Sequence, residues 1–209
     1  MEGSASAPTH PSIELEPPEW QPRAVWVSAR MLCGAASFFF IAFVFAYFYL
    51  RSLDTNHDWK IGHNINPSLG LGVAIVLVLV LSAAAMRVSA TNEARRLPAG
   101  LAAMVLALLA IVLQVVAWTV LGFGPASGGY ASVYVGWTGC YTVFMLLCVY
   151  WIETQMATVW RRRRDDVDAT TAHVLHATDV GLAGLRACSL FWTYYVANGV
   201  ILFLILYLL

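Results

Sequence analysis

Five stretches without a charged side chain organise the chain: Met31–Leu50, Leu69–Met86, Ala99–Phe123, Ala131–Ile152 and Ala187–Leu209. A helix rises about 1.5 Å per residue, so about 20 residues cross the roughly 30 Å hydrocarbon core of a bilayer. Within that core only a helix satisfies its own backbone polar groups without closing a barrel, and no alternation of the β-barrel kind is present. The pattern predicts an all-α polytopic membrane fold with five transmembrane helices, at about 31–50, 69–88, 99–123, 131–155 and 182–209. Residues 29–209 form the transmembrane domain.

Residues 1–22 contain five prolines and four glutamates among small polar residues, a composition that buries too little apolar surface to offset its ordering entropy. Residues 1–28 are expected to be a flexible cytoplasmic tail. The segment is no secretory signal, because it lacks a basic start and the apolar run after it is too long. Gly124-Pro125-Ala126-Ser127-Gly128-Gly129 joins the third and fourth helices tightly, which makes them antiparallel neighbours. The connection from the fourth to the fifth is longer.

Charge placement sets the orientation. Arg23, Arg30, Arg87, Arg95, Arg96, Arg161, Arg162, Arg163, Arg164 and Arg186 fall on the side of the N-terminus, and only Arg51 and Lys60 on the other. Loops rich in Lys and Arg stay in the cytoplasm, so the N-terminus is inside and the C-terminus outside. Trp20, Trp26, Tyr47, Tyr49 and Trp160 bracket the spans as interfacial aromatics.

Composition agrees: 60% of residues are hydrophobic and 11% charged, against about 25% charged in ordinary soluble domains. Twelve basic and twelve acidic side chains cancel, which argues against nucleic acid as a partner. Cys33, Cys140, Cys148 and Cys188 all lie in apolar runs and read as packing residues. Small residues at Gly70–Ala74, Ala83–Ala85 and Gly136–Gly139 mark faces where helices approach closely.

Candidate chemistry is sparse. His10, His57, His63, His173 and His176 lie in the tail or in loops, whereas a haem held between helices needs imidazoles at matched depth. No cofactor is expected on this chain, and no catalytic or metal-ligating residue is assigned. Gln114 and Asn198 are expected to hydrogen-bond to neighbouring helices, and Arg161, Arg162, Arg163 and Arg164 to contact anionic phospholipid headgroups, at about 1 kcal/mol per charge.

Residues 28–209 resemble subunit III of the haem-copper oxidases, the cytochrome c oxidase family, in its five-helix bacterial form. The resemblance lies in Phe38-Phe39-Phe40 and Phe45-Ala46-Tyr47-Phe48 with Arg51; in Gln114 and Trp118, the ends of a Q-x-x-E-W-like pattern; in Tyr130-Ala131-Ser132-Val133-Tyr134 leading to Thr138-Gly139; and in Phe191-Trp192-Thr193-Tyr194-Tyr195 with Leu202-Phe203 and Tyr207. Departures are systematic: Ala36, Ala117, Tyr141, Phe144, Thr193 and Val196 stand where that family places acidic residues or histidines. The resemblance implies a non-catalytic accessory subunit in a bacterial inner membrane, in aerobic electron transport. It implies partners in the catalytic subunit I and in subunit II, which carry the haem and copper, and in phospholipids. A helper of nitric oxide reductases is the alternative within the same resemblance; a structural protein of another membrane complex is the alternative outside it.

The charge asymmetry makes the orientation testable by reporter fusion. Alkaline phosphatase fused after Leu209 is expected to be active and the same enzyme inserted after Asp166 inactive; the reverse pattern would invert the topology.

Overall fold

The computed structural model describes residues 20–54, 59–60, 66–165 and 172–209, with the side chains of 163–165 and 172–179 outside the description. Among these residues every regular element is helical. The order is α1 (Gln21–Ser52), α2 (Leu69–Thr91), α3 (Arg96–Thr119), α4 (Gly129–Asp165) and α5 (Ala172–Phe203), followed by a π-helical segment, Leu204–Leu208. All five α-helices contain a stretch long and apolar enough to span a membrane.

Helix ends depart from the charge-free runs for identifiable reasons. α1 begins at Gln21, inside the expected tail, with Pro22 in its first turn, where the missing N–H costs nothing. α4 continues beyond residue 155 to Asp165, and α5 starts at Ala172 instead of 182. Arg, Glu and Gln are good helix formers, so a charged residue ends the hydrocarbon crossing without ending the helix. At 37 residues α4 is about 55 Å long, well over the bilayer core. α3 stops at Thr119, ahead of the expected 123, because Gly122, Gly124 and Pro125 follow.

The α3–α4 turn is built by Ser127, whose N–H reaches the Gly124 carbonyl at 3.0 Å while its hydroxyl accepts the Gly124 N–H at 3.0 Å. Gly128, with φ of 136°, takes a conformation closed to side chains with a Cβ. α2 and α3 are joined by Asn92–Arg95, where the Asn92 side-chain oxygen accepts the Arg95 N–H at 3.2 Å. Residues 1–19 of the flexible tail expected over 1–28 lie outside the described residues.

α5 is the hub: it packs on α1, α2 and α4, while α3 closes against α2 on one side and α4 on the other. Half of the apolar stretch of α5 is buried, against 11% of that of α1, which rides on the outside of the bundle. The expected α3–α4 neighbour relation is present.

The tightest pair, α2 with α3, is a small-residue seam. Gly100, Ala103, Ala107, Ala110, Gln114 and Ala117 are the buried positions of α3, spaced alternately three and four residues apart along one face. Lipid tails are as apolar as leucine, so helices in a bilayer associate by close packing and polar contacts, which small residues permit. Of the small-residue stretches picked from sequence, Gly72 and Ala83 are buried, but Gly136 and Gly139 face open space. The α3 alanines were not singled out, although their three-four spacing was there to read.

Polar pins cross this seam. The Ser82 hydroxyl donates to the Ala103 carbonyl at 2.7 Å and accepts Trp192 Nε1–H at 3.1 Å, so one buried oxygen joins α2, α3 and α5. The Ser89 hydroxyl donates to the Arg96 carbonyl at 2.6 Å. Ser82→Ala is expected to destabilise the bundle by about 1–2 kcal/mol, because it strands a buried indole N–H. Thr91→Ala, which removes only an exposed bond within α2, should cost less than about 0.5 kcal/mol. Unfolding titrations of both variants in mixed micelles check the difference.

Candidate functional site

The aromatic and hydroxyl side chains converge on a seam where α4 meets α5, with α1 and α3 on its flanks. At the end opposite the arginines, Tyr130 and Tyr134 lie one turn apart on α4 with stacked rings 6.1 Å between centroids. The Tyr130 hydroxyl donates to the Leu206 carbonyl at 2.6 Å, and the Tyr134 and Tyr207 hydroxyls share a hydrogen bond of 2.8 Å. The last carbonyls of a helix have no partner within it, so Tyr130 satisfies one that the end of this helical segment leaves open. Gly72 on α2 makes room for this arrangement: a Cβ there would stand 2.7 Å from the Tyr207 ring.

Deeper in the bundle, Tyr141 of α4 and Tyr195 of α5 stack at 4.4 Å with ring planes 17° apart. Their bonds are reciprocal: the Tyr141 hydroxyl donates to the Tyr195 carbonyl at 3.1 Å, and the Tyr195 hydroxyl donates to the Tyr141 carbonyl. Phe40 of α1 lies against both rings, at 6.1 and 5.9 Å. Gly199 is needed here too, since a Cβ on it would meet the Tyr141 hydroxyl. α1 is further tied to α5 by Ser37 and Tyr194, whose hydroxyls are 2.7 Å apart, and α3 to α4 by Trp118 Nε1–H donating to Thr138 Oγ1 at 3.1 Å.

Ala117, Tyr141, Phe144 and Val196, singled out in the sequence, act as packing contacts. Tyr141 stacks and bonds as described, Phe144 meets Phe39 edge-on at 5.0 Å, and Ala117 and Val196 are buried. Thr193 Oγ1 accepts the Arg87 Nε–H at 3.2 Å.

A second feature lies at the arginine-rich end, an apolar groove of about 300 Å³ between α3 and α4. Leu101, Met104, Met156, Ala157 and Trp160 line it with Glu153 and Arg161. Arg161 is exposed, while Arg162 is half-buried with its guanidinium against Gly181 of α5. The side chains of Arg163 and Arg164 lie outside the described residues.

The two amides behave differently. Gln114 is 7% exposed, and its side chain lies beside the Tyr134 hydroxyl of α4 without a hydrogen bond of standard geometry from Nε2. Asn198 is half-buried, and its Nδ2 donates at 2.9 Å to Tyr194 of its own helix instead of to a neighbour. His173 and His176 lie on the first turns of α5; His10, His57 and His63 fall outside the described residues. Cys148 and Cys188 are buried free thiols of the core, and Cys33 and Cys140 are half-buried.

Sequence reasoning missed Trp59. It plugs the end of the bundle opposite the arginines: its carbonyl accepts the Tyr130 N–H at 3.2 Å, its ring meets Tyr47 edge-on at 5.3 Å, and Gly129 lies beneath it. Lys60, next in the chain, places its ammonium 4.7 Å from the centroid of the Tyr130 ring. A lone indole in a polar loop beside an interface was the available signal.

The fold and these contacts define a multi-pass helical membrane bundle. No known protein family and no curated protein matches the chain.

Tyr130→Phe removes one hydroxyl and leaves the Leu206 carbonyl open. Amide exchange at residues 204–208 is expected to accelerate, and the thermal midpoint to fall by about 2–4 °C, the shift that accompanies about 1 kcal/mol in a chain of this size. Exchange mass spectrometry in detergent reads it; unchanged protection there would remove Tyr130 as the cap of α5.

Proposed function

We propose that this chain is a non-catalytic accessory subunit of a respiratory haem-copper oxidase, similar to subunit III of cytochrome c oxidase, in the plasma membrane of a bacterial cell. In this reading it braces the catalytic subunit and organises phospholipid around it, and the haem and copper belong to subunits I and II.

The observation that carries the reading is that landmarks of the resemblance, far apart in sequence, meet in pairs. Tyr134 meets Tyr207, Trp118 meets Thr138, and Phe40 meets Tyr195. A second support is the kind of contact found at the substituted positions: stacked rings, hydroxyls on backbone carbonyls and buried methyl groups, all of which brace helices against one another. The apolar groove beside Arg161 supports a lipid-organising role. On the outer helix, Phe38, Ile41 and Phe45 of α1 offer an apolar face to lipid or to the flank of a larger subunit.

An affinity-tagged copy at native expression, purified in mild detergent, is expected to bring down a haem-copper subunit with its haem absorbance and oxygen-consuming activity. Deletion of the gene should leave the initial rate intact and make activity decay over successive turnovers. Recovery of the chain with no haem-copper subunit would overturn the proposal. Consumption of nitric oxide in place of oxygen would move the chain to the reductase.

A further inference from the structure

α5 is the most enclosed helix of the bundle, yet one strip of it is left open. From Leu185 to Leu204 its only exposed residues are Arg186, Ala197, Ile201 and Leu204. With the half-buried Leu190 and Thr193 between them they recur every three or four positions, which puts them on one face. That face looks out between α1 and α2: Thr193 receives Arg87 of α2, and Tyr194, its neighbour in the chain, meets Ser37 of α1. α1 and α2 both pack on α5 with little contact between them, so the strip is the floor of a groove.

One end of this groove is cationic. Arg186 stands on the floor, and Arg87 on the α2 wall donates from Nε to Thr193 at 3.2 Å. Arg30 lies two turns before Ser37 on the same face of α1, and its guanidinium is 5.1 Å from the centroid of the Trp26 ring. α1 and α5 run parallel, and Tyr194 is level with Ser37, so Arg30 and Arg186 stand at one depth. All three arginines are exposed. The described carboxylates at this end face elsewhere: Glu93 pairs with Arg96 at 3.9 Å, and Glu153 lines the α3–α4 groove.

Beyond the arginines the floor is apolar. Thr193 to Leu204 spans about 16 Å of helix, half the roughly 30 Å hydrocarbon core and therefore the depth of one leaflet. The strip is one side chain wide, whereas a helix with its side chains is about 10–12 Å across, so the shape suits a single acyl chain. Basic pockets between transmembrane helices on the cytoplasmic side hold anionic headgroups.

We infer that the groove between α1 and α2 binds one anionic phospholipid of the arginine-side leaflet. Its phosphate lies among Arg30, Arg87 and Arg186, and one acyl chain lies on Ala197, Ile201 and Leu204. The site gives a place and a headgroup charge to the lipid-organising role proposed above, on which it rests. It belongs to this chain alone, so absence of an oxidase partner leaves it standing.

The full-length chain in phosphatidylcholine nanodiscs tests it, with trace phosphatidylglycerol or phosphatidylcholine carrying a diazirine on one acyl chain. Photolysis and peptide mass spectrometry are expected to place the phosphatidylglycerol label on residues 197–204, severalfold above the phosphatidylcholine label there. Arg186→Gln should lower that excess about fivefold, the worth of one charge at a membrane surface. Ala197→Trp, which fills the floor and keeps the arginines, should abolish the label at residues 201–204. Equal labelling by the two lipids, or an excess indifferent to Arg186→Gln, would overturn the site. So would a native complex in which residues 197–204 are shielded from the probe, because a partner helix then fills the groove. Should the variants fail to fold, salt decides on the wild-type chain: the excess must fall as ionic strength rises, and an excess unmoved by salt refutes the site.

Discussion

In hydrocarbon the backbone must hydrogen-bond to itself, and once it has done so the helices gain nothing from hiding apolar surface from lipid that is equally apolar. Everything that distinguishes this bundle from five separate spans must then come from close approach and from the few polar atoms that find partners across helix boundaries. Both devices are visible in one place on α2, where Ala83 packs beside Ser82 and the Ser82 oxygen serves α3 and α5 together. Alanine and glycine bring the backbones within reach; hydroxyls and indoles then select one register among many that would pack equally well.

That division of labour explains why α5 is central. It carries Trp192 to α2, Tyr195 to α4 and Tyr194 to α1, and the π-helical segment after it offers the Leu206 carbonyl to Tyr130. α1 has one hydroxyl bond to α5 beside aromatic and small apolar contacts, and most of its surface faces outward. The aromatic residues strengthen this design because a tyrosine contributes a large ring to packing and, through its hydroxyl, a donor that can reach a neighbouring backbone.

The side chains at Ala117, Tyr141, Thr193 and Val196 follow the same physics. A glutamate or histidine inside a bilayer needs a partner or a water-lined path, and costs several kcal/mol without one. Tyr141 and Thr193 keep a polar atom at two of those positions and satisfy it locally, through the Tyr195 carbonyl and the Arg87 guanidinium. Ala117 and Val196 keep none and are buried. At these positions the side chains serve contact between helices.

Much was legible in the sequence because the bilayer imposes a one-dimensional rule: a run of about 20 uncharged apolar residues must span as a helix, so the number of spans and the tight α3–α4 turn could be read directly. The helix ends were less legible, since charged residues such as Arg161 and Glu153 leave the hydrocarbon while remaining helical. Which faces meet could not be read at all from hydropathy, because every face is apolar; thus Gly136 looked like a packing glycine and faces open space, while Trp59 looked like loop and seals the bundle. The sequence by itself determined that the chain crosses the membrane and how often. Only the tertiary structure decided that Asn198 turns back on its own helix and that Gln114 is buried beside a cavity, because both depend on where a neighbouring helix puts its atoms.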